Sequence, residues 1–293
     1  MRLLEIVHGG NEVMRLVFDA QREHLKKHFG LRTISIEGMK KEAATQLVKK
    51  NIIDFQPAGL LLRGIYGLPA VALTGTKIPL VVDHCTPAEL GHTSPLRDHL
   101  HVVKRVICYS SKAEDDVREA GLGKVTALSG PFLPVVDCPL PENLGVAILD
   151  TCPGARAVLD HVRNMKVSKG WKFDLVSTMV ASGVIHVDSA PEAVERAHLV
   201  IGVYDEMDYG QPHDAAILAL SFGRALAASR TSAFGVLPYP VGSYITTPTY
   251  ATGAASAAVD VFMRSPSPFL SWPAKVKSDP AEVPNLVKKL VAP

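Results

Sequence analysis

The stretch Gly130-Pro-Phe-Leu-Pro-Val-Val-Asp-Cys-Pro-Leu-Pro-Glu142 carries four prolines and interrupts a regular pattern that runs along the rest of the 293-residue chain. Proline lacks the backbone N–H group that helices and sheets use, so a segment rich in proline resists both structures. We therefore expect an interdomain linker here. It would separate a first domain over residues 1–137 from a second over residues 138–293.

Before the linker, short apolar runs alternate with stretches whose apolar residues recur at helical spacing. The runs predicted as strands are residues 3–7, 33–36, 58–62, 78–82, 106–109 and 125–128. The stretches predicted as helices are residues 12–29, 39–50 and 112–120. This order is typical of a parallel sheet covered by helices.

The same alternation restarts after the linker. Strands are predicted at residues 144–149, 173–177, 184–187, 199–204 and 225–228. Helices are predicted at residues 155–165, 191–197, 213–221 and 252–263, with a terminal helix at 280–291 that we place in the second domain. The fold class is thus α/β, with two facing Rossmann-like βα domains and a C-terminal helix. Ligands bind outside the carboxyl ends of strands in such sheets, which favours an enzyme with a cleft.

The composition excludes several classes of protein. Hydrophobic residues make up 47% and charged residues 20% of the chain, which is not a disordered composition, and a net charge of +2 lacks the basic excess of a dedicated nucleic-acid binder. None of the four cysteines forms a C-x-x-C pair, which disfavours a zinc site. The first residues are too charged for a signal peptide, and no apolar run has the length that spans a bilayer. We therefore expect a cytoplasmic protein without a membrane span.

The first predicted strand ends in His8-Gly9-Gly10-Asn11, directly before a predicted helix. Glycine lets the backbone approach a ligand closely, and a helix N-terminus offers free N–H groups to an anion. These four residues are candidates for ligand binding, and the alternative is a plain tight turn. The G-x-G-x-x-G spacing is absent, which disfavours a Rossmann oxidoreductase.

Two further strand ends carry residues suited to catalysis or anion binding. Asp83 and His84 follow the apolar run at residues 78–82, where a base could meet an acceptor hydroxyl group. Their alternative functions are a turn cap and a packed imidazole. Arg156 follows the first strand of the second half and could hold a diphosphate, or be a surface arginine on its helix.

The densest polar cluster of the sequence joins a predicted strand to a predicted helix between residues 203 and 214. Its candidate binding residues are Tyr204, Asp205, Glu206, Gln211, His213 and Asp214. Loops that gather carboxylate, amide and imidazole groups between apolar elements are frequently functional sites. The alternative is that the acidic residues complement the helix dipole. The cluster has no strong acidic metal motif, and we predict no metal site.

Six segments in this order are similar to those of a known superfamily. They are His8-Gly9-Gly10, the strand at 78–84 that ends in a histidine, the strand and serine at 105–112, the linker at 129–137, the strand at 198–204, and the helix, glycine and strand at 217–229. With these segments the chain resembles the GT-B superfamily of glycosyltransferases, particularly its retaining branch. The resemblance covers nearly the whole length.

The resemblance implies transfer of a sugar from a nucleoside diphosphate sugar to a hydroxyl acceptor, without a required cofactor. Donor binding would then fall to His8, Gly9, Gly10, Asn11, Arg156, Tyr204, Asp205, Glu206, Gln211, His213 and Asp214. Asp83 and His84 would be the catalytic candidates. The acceptor is unknown. In residues 1–137, Lys and Arg slightly outnumber Asp and Glu. This positive charge suits an acidic acceptor, including a modified DNA base, and it is equally typical of an ordinary solvated surface.

One motif of the family departs from its usual position. When the sequence is aligned on Gly223, the two positions that normally hold acidic residues eight apart carry Gly210 and Leu218. Glu206 and Asp214 have the same spacing four residues earlier. Either the loop has a shifted register, or the donor is held differently, or the chain has lost activity. Two other functions are also open, a nucleotide-sugar epimerase and a non-catalytic nucleotide- or carbohydrate-binding protein, and Leu218 favours the second of these. The absent signal peptide argues against a periplasmic two-lobed binding protein.

Overall fold

The computed structural model describes most of the chain in two compact units. The described residues are 1–83, 95–109, 111–119, 124–128, 133–151, 154–202, 214–228, 251–265 and 280–291. The first unit comprises Met1–Pro131 together with Pro280–Pro293, and the second comprises Phe132–Asp279. Each unit is built on its own parallel sheet.

The first unit contains a six-stranded sheet in the order β2-β1-β3-β4-β5-β6, in which all neighbouring strands are parallel. The strands are β1 (Arg2–Val7), β2 (Gly30–Ser35), β3 (Gly59–Arg63), β4 (Leu80–Asp83), β5 (Val103–Cys108) and β6 (Val125–Ala127). Every residue of β3 and β4 is buried. The central strands are therefore covered on both faces, as expected for a parallel sheet.

Helices cover both faces of this sheet. They are α1 (Glu12–Lys26), α2 (Lys41–Phe55), α3 (Leu68–Ala72), α4 (Ser111–Glu119) and the terminal helix, here named α9 (Glu282–Val291). Alternate residues of β1 serve opposite faces, because side chains alternate along a strand. Leu4 packs in the same core as Val48 of α2, whereas Leu3 packs with Leu25 of α1.

The terminal helix α9 belongs to the first unit, which corrects its predicted place in the second domain. Val283, Val287 and Val291 are buried in the core that also contains Leu3. Gly59 of β3 leaves the space that Val291 fills, since a Cβ atom at Gly59 would lie 2.3 Å from the Val291 Cγ1 atom. The amphipathic pattern predicted the helix, and packing decided which sheet it covers.

The second unit contains a five-stranded parallel sheet in the order β11-β10-β7-β8-β9. Its strands are β7 (Gly145–Ile148), β8 (Asp174–Ser177), β9 (Ile185–His186), β10 (Leu199–Gly202) and β11 (Ala225–Ala228). Its described helices are α5 (Ala155–Lys169), α6 (Ala190–Glu195), α7 (Asp214–Ser221) and α8 (Ala251–Arg264). The α/β fold class with two parallel sheets is confirmed.

The described part of the proline-rich segment, residues 133–142, has neither helix nor strand and is attached to the second unit. The Ser221 hydroxyl group donates to the Pro134 carbonyl oxygen (2.6 Å), and the Val136 amide donates to the Ser221 carbonyl oxygen (2.8 Å). Buried Arg224 donates to the carbonyl oxygens of Cys138 and Pro139. These contacts explain why the second unit begins at Phe132, before the predicted boundary.

Within the described ranges, no helix combines the length and apolar character required to cross a membrane.

Candidate functional site

Each sheet has one position where the strand order reverses. In the first unit the chain passes from β1 to β2 on one side, and β3 lies on the other side of β1. In the second unit β8 lies on one side of β7 and β10 on the other. Ligands of open parallel sheets bind outside the carboxyl ends of the strands at such a reversal. The chain therefore offers two candidate sites, one in each unit.

In the first unit, the loops after β1 and β3 lie directly against each other. The His8 amide donates to the Arg63 carbonyl oxygen at 2.9 Å. Gly64 has φ +91°, and a Cβ atom there would lie 2.2 Å from the His8 carbonyl oxygen. Gly9 and Gly10 also have positive φ, at +86° and +116°. At Gly64 only glycine tolerates the combination of backbone angle and close approach, whereas Gly9 and Gly10 are required by their positive φ.

Asn11 caps the helix that follows this loop. Its side-chain oxygen accepts a hydrogen bond from the Met14 amide at 2.9 Å, which is the usual N-cap arrangement. Glu12 adds a negative charge in the first turn of α1. One N–H group at the start of α1 is therefore already bonded to Asn11, and the carboxylate of Glu12 opposes an anionic ligand at this helix end.

Asp83 lies at the carboxyl end of β4, where the sequence predicted it, and its side chain is fully buried. One carboxylate oxygen accepts a hydrogen bond from the Arg63 guanidinium, and the other accepts one from the Tyr109 hydroxyl group. The Gly64 amide also donates to the Asp83 carbonyl oxygen at 3.1 Å. Both carboxylate oxygens are thus committed to partners inside the unit.

Arg63 is the centre of a buried charge network. Its Nε atom donates to Glu5 at 3.0 Å, and its Nη1 atom donates to Gln21 at 2.6 Å as well as to Asp83. Arg22 donates to the second oxygen of Glu5 at 2.5 Å. The side chains of Arg63, Glu5 and Asp83 have no exposed surface. Such burial of charge is tolerated only where the charges are paired and hydrogen-bonded.

The electrostatics of the network favour its charged form. Burial raises the pKa of Glu5, but the charges of Arg63 and Arg22 outweigh it and hold that pKa below the usual value. Burial lowers the pKa of Arg63, yet Asp83 and Glu5 outweigh burial and raise that pKa overall. Burial and the neighbouring Asp83 raise the pKa of Tyr109 well above its ordinary value. Tyr109 therefore stays protonated and donates to Asp83.

This network was not predicted, although the sequence contains a signal for it. Glu5 stands in the apolar run Leu-Leu-Glu-Ile-Val, and Arg63 ends the run Gly-Leu-Leu-Leu-Arg. Charged residues inside strands that are buried on both faces require partners, since an unpaired buried charge is strongly unfavourable. Strands β1 and β3 are adjacent, with Glu5 opposite Leu61 in register. Opposite charges on neighbouring buried strands were the available clue.

In the second unit, the strand order reverses at β7, and the N-terminus of the next helix, α5, is described there. Its N-cap is Gly154, with φ +73° and no side chain to cap the first turn, and this turn contains no acidic residue. Arg156 lies in the first turn, but its side chain extends along its own helix. The guanidinium contacts Asp160 at 3.3 Å and donates to the Val180 carbonyl oxygen at 3.0 Å.

The other predicted residues of this unit lie around the end of β10. Asp214 is the first residue of α7 and is buried. The predicted residues that lie outside the described part of the chain are Tyr204, Asp205, Glu206, Gln211 and His213, together with His84 of the first unit. Among the described residues, no group of three or more His, Cys, Asp or Glu side chains is arranged to hold a metal ion.

No protein-family model and no curated protein sequence matches the chain. Solved structures match it over nearly its whole length, at low sequence identity. A UDP-N-acetylglucosamine 2-epimerase has a TM-score of 0.63 at 10% identity, with 99% of this chain and 96% of that chain covered. A glycosyltransferase from Rickettsia africae has a TM-score of 0.62 at 8% identity, with 99% and 98% covered.

A third similar structure is HepE from Anabaena in complex with UDP and glucose, with a TM-score of 0.61 at 11% identity and coverage of 99% and 95%. Identities this low establish similarity of fold. The GT-B resemblance of the sequence is therefore confirmed at the level of the fold, and this chain has the two-sheet α/β architecture of those proteins.

Proposed function

We propose that the chain binds a nucleoside diphosphate sugar at the carboxyl edge of the second sheet and transfers the sugar to a hydroxyl acceptor. The observation that carries this proposal is the match over 99% of the chain to a structure solved with UDP and glucose. The two strand-order reversals support it, since each provides a ligand position of the kind open parallel sheets use.

The difference between two helix N-termini supports a diphosphate position in the second unit. Helix α1 begins with the capping side chain of Asn11 and the carboxylate of Glu12. Helix α5 begins at Ala155 after the N-cap Gly154, with no acidic residue in its first turn. Uncapped N–H groups and the helix dipole stabilise a phosphate group. We therefore assign the diphosphate to α5, where these groups would also replace a metal ion during transfer.

Arg156 would supply a positive charge beside this diphosphate. It can do so by exchanging its contacts with Asp160 and Val180 for the phosphate oxygens, because a 58% exposed arginine side chain reorients at little cost. Asp214 and the residues predicted in the preceding loop would contact the ribose or the sugar. The donor contacts of His8, Gly9, Gly10 and Asn11 remain part of the proposal, with Asn11 the weakest of them because it caps α1.

The geometry of Asp83 argues against it as the catalytic base. An inverting transfer needs a base within hydrogen-bond reach of the acceptor hydroxyl group. Asp83 is fully buried and both of its carboxylate oxygens accept hydrogen bonds, so we assign it the function of holding the strand ends. His84, the next residue along the chain, is the base in this proposal. The retaining stereochemistry that the sequence resemblance implied stays a prediction.

A nucleotide-sugar epimerase is the second candidate function, favoured by the match to a UDP-N-acetylglucosamine 2-epimerase. A non-catalytic binding protein of the same fold is the further alternative. The sequence analysis included a modified DNA base among the possible acceptors. None of the similar structures reported above is named for a nucleic-acid substrate, so this acceptor has no support beyond the charge of the first domain.

Thermal shift and product analysis test the proposal. The full chain is screened with UDP and a panel of nucleoside diphosphate sugars, and each stabilising donor is assayed for nucleoside diphosphate release with sugar, lipid and hydroxymethylated-DNA acceptors. Release that depends on an acceptor supports the transferase. Conversion of the donor sugar without an acceptor supports the epimerase, and stabilisation without turnover supports the binding protein. The absence of a shift with every nucleotide would overturn the assignment.

Arg156→Gln provides the matched test of the diphosphate position. Arg163→Gln is its control, because Arg163 is on the same helix and contacts the same Asp160 carboxylate at 3.3 Å. We expect the first variant to weaken UDP binding about fivefold or more, and the second to leave it unchanged. Equal effects of the two variants would contradict the placement of the diphosphate at the start of α5.

A further inference from the structure

A second concave site lies at the amino edge of the sheet in the second unit, the edge opposite the strand-order reversal. It is a pocket of about 410 Å³ formed where β7 and β8 begin and α5 ends. Its walls include Asn143, Trp171 and Phe173. A volume of this size is within the range of small-molecule sites. None of the residues used in the proposed function lines it.

Backbone contacts fix the aromatic wall of this pocket. Helix α5 ends at Lys169 and is capped by Gly170, with φ +63°, and the Trp171 amide then donates to the Lys166 carbonyl oxygen at 3.0 Å. The Asp174 amide donates to the Leu144 carbonyl oxygen at 2.7 Å, which holds the start of β8 against the start of β7. The backbone of the two aromatic residues between these bonds is therefore fixed before any ligand binds, which lowers the cost of ordering this wall on binding.

The two rings form an angled apolar surface. The ring centroids of Trp171 and Phe173 are 6.5 Å apart, and the ring planes are inclined at 51°. Phe173 is buried and Trp171 is partly exposed, so the indole presents the accessible part of this surface. A partly exposed indole ring combines apolar contact area with a polar N–H group and suits a ligand that has both kinds of surface.

Three lysines lie around the rings, and they differ in whether the ammonium group is paired with a carboxylate. Lys169 lies over Trp171 at 4.6 Å and is paired with Asp260 at 2.6 Å. Lys166 lies over the Phe173 ring at 5.1 Å, and it lines the pocket together with Lys172. In the ion pairs of the described residues, neither Lys166 nor Lys172 has a carboxylate partner. Two ammonium groups are thus available to a ligand.

The remaining polar groups of the pocket can form hydrogen bonds with hydroxyl groups of a ligand. Asp174 offers a carboxylate and Asn143 offers an amide, which can accept from and donate to hydroxyl groups. Lys166 and Lys172, which lack a carboxylate partner, together with the one carboxylate of Asp174 give the pocket a net positive charge. A ligand that satisfies all of these groups carries hydroxyl groups on a ring with an apolar C–H face, and one anionic substituent.

We propose that this pocket binds an anionic saccharide, with the sugar ring against Trp171 and its carboxylate or phosphate group between Lys166 and Lys172. The proposal does not depend on the proposed donor site, which lies at the other edge of the sheet. The ligand is defined by its ring, hydroxyl groups and negative charge. Uronic acids and sugar phosphates are two sources of that chemistry, and the test separates them.

Tryptophan fluorescence offers a direct test, because the chain contains two tryptophans, Trp171 and Trp272. In the Trp272→Phe variant of the full chain, Trp171 is the remaining tryptophan reporter. The probes are glucuronate, glucose 6-phosphate, glucose and inorganic phosphate. We expect one or both anionic sugars to change the emission and to bind at least about tenfold more tightly than glucose or phosphate alone. Preference for glucuronate or for glucose 6-phosphate identifies the anionic group.

Charge removal then tests the two lysines in the same background. Lys166→Gln and Lys172→Gln should each weaken binding of the preferred sugar about fivefold, and added salt should weaken it further. Lys50→Gln, an exposed lysine on α2 of the first unit, is the control and should have no effect. Circular dichroism confirms that each variant is folded.

Two outcomes overturn the proposal. One is an emission response that is equal for glucose, phosphate and the anionic sugars, or absent for all of them. The other is binding of the anionic sugars that persists unchanged in both lysine variants. A fluorescence titration with UDP distinguishes this site from the proposed donor site. A Trp171 response to UDP that exceeds the response to every sugar would assign the pocket to a nucleotide instead and equally overturn the saccharide assignment.

Discussion

The Arg63 guanidinium and the Asp83 carboxylate form an ion pair in which neither side chain has exposed surface. The pair joins the carboxyl ends of the neighbouring strands β3 and β4, and Tyr109, which follows β5, donates to the same carboxylate. Glu5 of β1 balances the second side of the guanidinium. The carboxyl ends of β3, β4 and β5 are thereby held together and tied to the interior of β1, at the edge where the first unit offers its candidate site.

Asp83→Asn should destabilise the first unit by about 3–5 kcal/mol, because Arg63 then shares its remaining carboxylate partner, Glu5, with Arg22, and part of the buried positive charge is uncompensated. Urea denaturation followed by circular dichroism measures the change. Glu37→Gln is the control, since Glu37 pairs with Arg15 on the surface, where side chains are 44% and 59% exposed. We expect less than about 1 kcal/mol there. If the two variants lose the same free energy of unfolding, the buried ion pair stabilises the unit no more than the surface pair does.

Gly64→Ala should destabilise the first unit much more than Gly75→Ala. Both glycines have positive φ, at +91° and +70°, so both substitutions carry the backbone penalty of about 1–2 kcal/mol. A Cβ atom at Gly64 would lie 2.2 Å from the His8 carbonyl oxygen, whereas one at Gly75 would have no atom within 4 Å. Thermal unfolding compares them. A larger shift for Gly75→Ala would contradict the close approach of the loops after β1 and β3.

Val287→Ala should lower the stability of the first unit by about 2 kcal/mol, since it opens a cavity between α9 and the sheet. Lys288→Ala, on the exposed side of the same helix, should change stability by less than about 0.5 kcal/mol. Hydrogen exchange locates the effect. We expect faster exchange in β1 and β3, with β7 and β10 unaffected. Loss of protection confined to the second unit would contradict the placement of α9.

His198 should make the stability of the second unit depend on pH. Burial, followed by the charge of Arg224, lowers the pKa of His198 below its ordinary value of 6.5. Its Nδ1 atom accepts a hydrogen bond from the Gly145 amide at 3.2 Å, which a proton on Nδ1 would break. As pH falls below 6.5, the unfolded chain binds a proton that the folded chain resists, so stability falls until pH reaches the lowered pKa.

His198→Asn removes this titration while keeping an oxygen that can accept from the Gly145 amide. We expect its stability to decline less than that of the unmodified chain between neutral and mildly acidic pH, as measured by urea denaturation at several pH values. His161→Asn, at an exposed position of α5, is the control and should leave the pH dependence as it was. A decline of the same size in the His198 variant would show that other groups cause it.

Local pattern was sufficient to predict most strands and helices, because a buried parallel strand and an amphipathic helix each leave a periodic signal. The predicted strand at residues 225–228 coincides with β11, and the predicted helix that begins at residue 12 is α1. The short helix α3 was not predicted, since its five residues carry too little periodicity. Strand ends were also predictable, and they placed Asp83 and Asn11 at the carboxyl edge of the first sheet.

The functions of those residues were less accessible to sequence reasoning. Asp83 looked like a base because it follows an apolar strand, but its two oxygens are bound by Arg63 and Tyr109, which lie 20 and 26 residues away in the chain. Asn11 looked like a ligand contact, and it caps α1. Hydrogen bonds between residues far apart in the sequence produce no periodic pattern. The sequence therefore predicted where Asp83 lies but not which groups its carboxylate binds.

The sequence by itself determined that this protein is built from two parallel α/β sheets, because alternating apolar runs and amphipathic stretches have few other ways to bury their surfaces. Only the tertiary structure decided which sheet the terminal helix covers, since an amphipathic helix is complementary to any apolar face of suitable shape, and Gly59 provides the space for Val291. It also decided that the charges of Glu5, Arg63 and Asp83 meet inside the first unit, because strand order and register bring together residues that the chain keeps apart.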